Sequence, residues 1–335
     1  IDTNWKVQGS YQWNFTIERE IMKDTKVEVA YVGNRGHHMP YNYNMNTVPP
    51  SQWLEFARRN YTPDGGDENE LRKWFIFKGD QDLWYITQGA NSYYHAFQAY
   101  VNKRFSNNFS YQLAYTFSKL LANNGMNCCG ADEATRLYST DVPWYNYGYA
   151  NFDRTHVLTI NAIYRLPVFE RYKPAVRYMF GDWELTGIYG YSSGIPVTPY
   201  LNSSMIGIWR NRPDLIGDPT GPQTAEKWFN TNAFGVPEPG RLGNSGIGYI
   251  RAPAINNMDF AIYKNFKVTE GTRIQFRFET FNTFNHTQLK DIGTQFDLPS
   301  GLTLDPKTNK FIKPSQCANW PNCQQNVNFG VAQRV

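Results

Sequence analysis

No stretch of this 335-residue chain holds 18 consecutive apolar residues, so no helix in it can cross a bilayer. Cysteine is scarce. Its four copies stand as Cys128-Cys129 and Cys317/Cys323, with no second CxxC and no histidine cluster beside them, which argues against a zinc site. Dense Lys/Arg blocks are missing too, and the net charge of +4 is evenly spread, so no nucleic-acid partner is expected. Nor does a catalytic constellation stand out. Asp153-Arg154-Thr155-His156 has neither nucleophile nor metal nearby, and is read as pinning a strand entrance. His37-His38 lacks a ligand pattern, and Gly246-x-Gly248 lacks the helix a phosphate cradle needs. The expectation is a protein without enzymatic activity, catalytic residues, metal or cofactor.

Aromatic residues are abundant instead. They make up 16% of the chain, with 23 Tyr, 22 Phe and 10 Trp, yet mean hydropathy is −0.59. A transmembrane β-barrel reconciles the two, because its strands are apolar only at every second position and its interfaces carry aromatic girdles. The segment 256–285 shows the pattern best. Two alternating runs flank a tight turn at Thr269-Glu270-Gly271-Thr272. In the second run Ile274, Phe276 and Phe278 face one way, and Arg273, Gln275, Arg277 and Glu279 the other. The apolar set is expected to face outer-membrane lipid and the polar set a lumen.

The same alternation predicts strands at Tyr11–Glu20, Lys26–Val32, Tyr93–Phe105, Phe109–Ser118, Arg154–Leu166 and Trp183–Ser193, ahead of the two in that hairpin. Long segments at 33–89, 121–150, 199–255 and from His286 onward are expected as loops, with short helices at Gln52–Arg59 and Glu68–Phe75. Connections therefore alternate short and long. Short turns belong on the periplasmic side and long loops outside. Eight strands cannot enclose a lumen under loops this large, so the fold class expected is an all-β antiparallel barrel of which residues 1–335 form under half. The chain starts at Ile1 with no secretion signal and stops in mid-pattern at Val335, so both termini are expected to be missing.

Several phrases occur together in order. They include Gln12-Trp13-Asn14-Phe15, Glu28-Val29-Ala30-Tyr31-Val32-Gly33, Tyr115-Thr116-Phe117-Ser118-Lys119 and Asn151-Phe152-Asp153-Arg154-Thr155-His156-Val157. Ser193-Gly194-Ile195-Pro196, Trp228-Phe229-Asn230-Thr231, Gly243-Asn244-Ser245-Gly246 and Phe276-Arg277-Phe278-Glu279 follow, with Phe284-Asn285-His286 last. The set resembles the carboxyl-terminal barrel of TonB-dependent outer-membrane receptors, nearest the Oar-like branch that carries a carboxypeptidase-regulatory-like domain ahead of its plug. The resemblance implies a bacterial outer-membrane location, about 22 strands and a plugged lumen. It also implies uptake driven through TonB, by way of an amino-terminal plug and TonB box not contained here, and a closing strand beyond Val335.

Candidate functional residues fall into three groups. Arg104, Arg165, Glu184, Arg273, Gln275, Arg277 and Glu279 are expected on the lumen wall, either guiding substrate or pairing with one another; Lys119 reads the same way. The loop tryptophans Trp53, Trp74, Trp84, Trp144, Trp209, Trp228 and Trp320 are ligand-contact candidates, weighed against self-packing of ordered loops, while Trp13 and Trp183 suit interface belts. Cys317 and Cys323 are expected to form a disulfide in an oxidising compartment, with Cys128 and Cys129 as competitors. Two functions fit: a transporter of an unidentified nutrient too large for porins, or a structural, adhesive or assembly subunit contacting surface partner proteins.

Overall fold

Period-two side chains favour extended backbone, and extended segments can cross hydrocarbon only if neighbouring strands take up every N–H and C=O. The computed structural model describes residues 6–74, 82–123, 139, 141–167, 174–208 and 211–334. All eight expected strands are present: β1 (Gly9–Met22), β2 (Thr25–Asn44), β3 (Trp84–Ser106), β4 (Phe109–Ala122), β5 (His156–Arg165), β6 (Trp183–Ser192), β7 (Ile255–Lys267) and β8 (Arg273–Thr280). Each pairs antiparallel with the next in chain order, and Gly148–Tyr149 adds to β4 beyond the start of β5. Hairpin turns use residues that tolerate positive φ. Asn107 and Asn108, between β3 and β4, have φ of 51° and 62°.

Register makes the two faces continuous. Phe15, Tyr31, Phe97 and Phe117 lie side by side across β1–β4. Val27, Val101, Leu113, Ile160, Tyr189 and Met258 do the same across β2–β7. The opposite face carries rows such as Thr16, Ala30, Gln98 and Thr116, or Asn102, Gln112 and Asn161. Gly33 sits beside Trp13 on the apolar face; the indole lies where a Cβ would be, so any larger residue there would displace it.

Three expectations are corrected. First, much of the segment after Gly33 is strand, not loop. β1 ends with Gly9 opposite His37, but β2 and β3 continue as a two-stranded ribbon to Asn44 and back from Trp84, with a bulge between Gly36 and Met39. Pro40 sits in this ribbon next to the bulge, opposite Gln88. Trp84 is consequently a strand residue opposite Asn44. Second, the helix expected at Glu68–Phe75 is only a single turn, Glu68–Leu71, whereas the one at Gln52–Arg59 exists as α1 (Trp53–Tyr61). Third, Lys119 shares the apolar face with Phe117, because odd positions of β4 point outward; its ammonium lies 5.3 Å from the ring centre of Tyr149. The β5–β6 connection also holds a short helix, α2 (Pro174–Phe180), whose Tyr178 ring lies 5.5 Å from that of Phe266.

The buried core of the molecule is not in the sheet. It lies in the four long segments: Val48 and Phe56 from the first, Tyr145 from the second, Leu201, Met205, Phe229 and Phe234 from the third, Phe296 and Phe329 from the fourth. Phe329 stacks edge-on against Phe229 and Phe296, with ring centres 5.0 and 5.5 Å apart. Short ladders tie the segments together, among them Tyr200–Leu201 parallel to Gln295–Phe296 and Leu289–Ile292 antiparallel to Ala332–Arg334.

Leu113→Arg should lower stability in lipid by about 2–4 kcal/mol, measured by refolding into vesicles; normal assembly of this variant would remove Leu113 from the membrane-facing row. Orientation can be read separately. In a Cys128→Ser/Cys129→Ser background, cysteines at Asn107 and Glu270 should react only from the periplasm and one at Asn230 on intact cells.

Candidate functional site

On the polar face, Lys26 pairs with Glu18 near the short turn of β1–β2, and toward the long segments the inward side chains of β1–β4 become small or neutral. Asn14, Asn34, Ser92, Gln98, Thr116 and Ser118 leave room instead of filling it, and a cavity of about 1030 Å³ opens over them. Its far wall is the end of the second long segment, with Ala150, Phe152, Asp153 and Arg154, and Val157 at the start of β5. Amides, hydroxyls and the Tyr94 phenol supply donors and acceptors, and Val32, Leu120, Ala122, Phe152 and Val157 supply apolar surface between them. Such a mixed lining suits a neutral, partly apolar solute better than an ion.

The charges that do border this cavity are engaged. Asp153 is 2% exposed; its Oδ1 accepts the Leu120 N–H at 2.6 Å, and its Oδ2 lies 2.8 Å from Nη2 of Arg251. Arg251 also lies over the Tyr149 ring, 4.5 Å from its centre. Arg154 donates to the Ser193 carbonyl at 2.6 Å. Burial lowers the Arg154 pKa and the neighbouring Arg251 adds to the shift, yet a guanidinium stays charged at any physiological pH. Asp153 therefore ties the top of β4 to the third long segment, at the rim of the cavity.

The loop layer above is braced in the same way. Arg212, buried, donates Nε to the Ser245 carbonyl at 2.6 Å and Nη2 to the Tyr145 carbonyl at 3.0 Å, with its guanidinium 3.4 Å from the centre of the Tyr145 ring. Tyr145 donates its hydroxyl to the Gly243 carbonyl at 2.9 Å, and burial raises its pKa, so it stays a neutral donor. Arg241 forms a two-pronged pair with Asp214, Nη1 reaching Oδ1 at 2.9 Å. A smaller cleft of about 460 Å³ on this layer is bordered by Asn60, Tyr61, Asn202, Ser203 and Asp297.

None of the residues singled out from the sequence as wall or loop contacts lines the larger cavity. The wall residues form their own cluster near the short turns of β5–β8. Arg165 Nε lies 2.6 Å from Glu184, Arg277 lies 3.7 Å from Glu279 and over Tyr263, and Gln275 bonds Asn265 at 3.1 Å. Arg273 and Arg104 are exposed beside this end. Of the tryptophans, Trp53 is buried in the loop core, and Trp228 and Trp320 pack against it; Trp228 Nε1 donates to the Arg251 carbonyl at 2.6 Å. Trp74, Trp84 and Trp144 are exposed. Trp209, Cys128 and Cys129 lie outside the described residues. Cys317 and Cys323 are joined as a disulfide, Cα atoms 5.5 Å apart. Gln98, Thr116 and Ser118 were readable as inward-facing from strand parity, but nothing local marks them as bordering open space.

A family model described as an outer membrane beta barrel domain matches residues 1–311. The fold is similar to that of the outer membrane transporter YddB from Escherichia coli, with a TM-score of 0.44 and 7% sequence identity, over 88% of this chain and 30% of that one. This chain thus spans less than a third of the length of that transporter. No curated protein sequence matches it.

Asp153→Ala should cost roughly 1–3 kcal/mol locally, because it strands the Leu120 N–H and leaves Arg251 without its counter-ion. Limited proteolysis of the long loops should speed up while strand content holds, and Asp153→Asn, which keeps an acceptor, should lose less. Equal protection in all three proteins would deny Asp153 this role.

Proposed function

This chain belongs to the outer membrane beta barrel domain family, and on that premise we propose that it forms wall and surface-loop layer of a TonB-dependent transporter, of the Oar-like branch, that takes up a large nutrient. The observation that carries the reading is the cavity of mixed lining on the inward face of the sheet, beneath ordered loops. Loops that pack around their own core hold a fixed shape, and a fixed shape above an inward-facing cavity is what selective admission needs. The chemistry is binding and passage, without catalysis. Paired wall charges such as Arg165–Glu184 give the inner face a hydrated surface without strong net attraction for either sign. Energy coupling in this proposal runs through a plug and TonB box encoded ahead of this segment, as in the receptors it resembles.

An adhesive or assembly role is the second reading. It is favoured by Trp144, 69% exposed on the loop layer, since exposed indoles anchor protein partners.

The two readings separate in cells. Gln98→Trp with Thr116→Trp, paired neighbours on the inner face, would fill the cavity without touching the outer loop surface. Solutes above porin size would be followed in the medium by mass spectrometry, in parent, deletion and tonB-deficient strains. The transporter reading expects some solute whose depletion needs the protein, TonB and an unfilled cavity, at equal surface abundance. Identical depletion in all strains, with cell attachment lost on Trp144→Ser, would favour the adhesive role instead.

A further inference from the structure

The lipid-facing side of the sheet carries cations at both rims, and the rims differ in where their donors go. Near the short turns, Lys103 donates to Ser106 Oγ at 2.7 Å and Lys264 to the Gly181 carbonyl. Near the long loops, the Arg35 guanidinium lies 5.3 Å from the centre of the Tyr93 ring, and the Lys119 ammonium the same distance from Tyr149. Both cations are exposed, and among the described residues neither has an oxygen acceptor. A ring face attracts the charge but leaves most of the N–H groups open. Trp13 and His95, beside them on the same face, bring rings and no carboxylate.

Register fixes the spacing. Arg35 on β2 stands opposite Tyr93, and Lys119 on β4 stands opposite His95, so the cations flank β3 two strand separations apart and staggered by two residues, about 12 Å between their backbone positions. The apolar row Tyr31, Phe97 and Phe117 runs next below Lys119 and, beyond Gly33 and Trp13, below Arg35. A ligand here would place anionic oxygens on Arg35 and Lys119, a ring-stacking body between them and hydrocarbon along that row.

We propose that Arg35 and Lys119 form a site on the outer wall for the phosphorylated sugar headgroup of an acylated glycolipid in the outer leaflet. Phosphate oxygens match both the guanidinium fork and the ammonium, and sugar faces stack on aromatic rings. Two cations flanking one strand suit a headgroup with two phosphates better than a phospholipid with one. The inference rests on the membrane-wall reading with the long loops outside; labelling at Asn230 tests that orientation independently, so a failure of either is distinguishable.

The full-length protein, delipidated in detergent, would be titrated with bis-phosphorylated lipid A and, separately, with phosphatidylglycerol, and bound lipid counted by native mass spectrometry. The parent should prefer lipid A. Arg35→Gln/Lys119→Gln should weaken lipid A binding roughly tenfold, while Lys103→Gln on the opposite rim leaves it unchanged. Heat-modifiable gel mobility reports correct assembly. Should the double variant not assemble, Lys119→Gln alone carries the test, with about threefold weaker binding expected. Equal lipid A binding in parent and variant, or a parent that holds phosphatidylglycerol as tightly, would overturn the site.

Discussion

Backbone hydrogen bonding in hydrocarbon is the constraint everything else answers to. No water reaches an unpaired amide there, so each strand needs a partner on both sides. From β2 to β7 every strand has both. Pairing fixes register, register fixes which side chains share a row, and strict period two then separates a lipid face from a lumen face. Pro40 and the Gly36/Met39 bulge occur where β2 and β3 rise beyond the last residue paired with β1.

Apolar side chains serve two opposite ends in this molecule. On the sheet, Phe15, Ile17, Ile274 and Phe276 point away from the protein and are exposed to a solvent that is itself apolar. In the loop layer, Phe229, Phe234 and Phe296 are withdrawn from water into a close-packed core, as in a soluble domain. The polar side chains mirror this division. Arg165 and Glu184 pair on the polar face of the sheet, half exposed, where such a pair contributes little to stability. Arg212 and Asp214 are buried and hold loops in place, Arg212 through the Ser245 and Tyr145 carbonyls and Asp214 through Arg241.

The wall was legible in the sequence because its signal is local. Phe109, Tyr111, Leu113, Tyr115 and Phe117 announce their strand without reference to anything else in the chain. Strand parity alone also places Lys119 outward, a signal outweighed by its charge. The β2–β3 ribbon was hidden by Gly33, Gly36 and Pro40, which locally favour turns and are rescued only by pairing. The loop core was illegible for a different reason. Val48, Tyr145, Leu201 and Phe329 follow no period, and each is buried by residues far away in sequence. For the same reason, a tryptophan at a loop position could not be sorted by composition into anchor or core; Trp53 is packed inside and Trp144 is not.

The way the loop core is shared among segments sets an order of events. Phe296 and Phe329, which complete the aromatic cluster on Phe229 and Phe234, come after β8. The surface layer therefore has high contact order and closes only once the strands before those residues have been threaded. A chain stalled during insertion would leave Phe229 and Phe234 bare, a greasy surface of the kind proteases and chaperones seize. A closed aromatic core thus records that the chain has been laid down at least as far as Phe329.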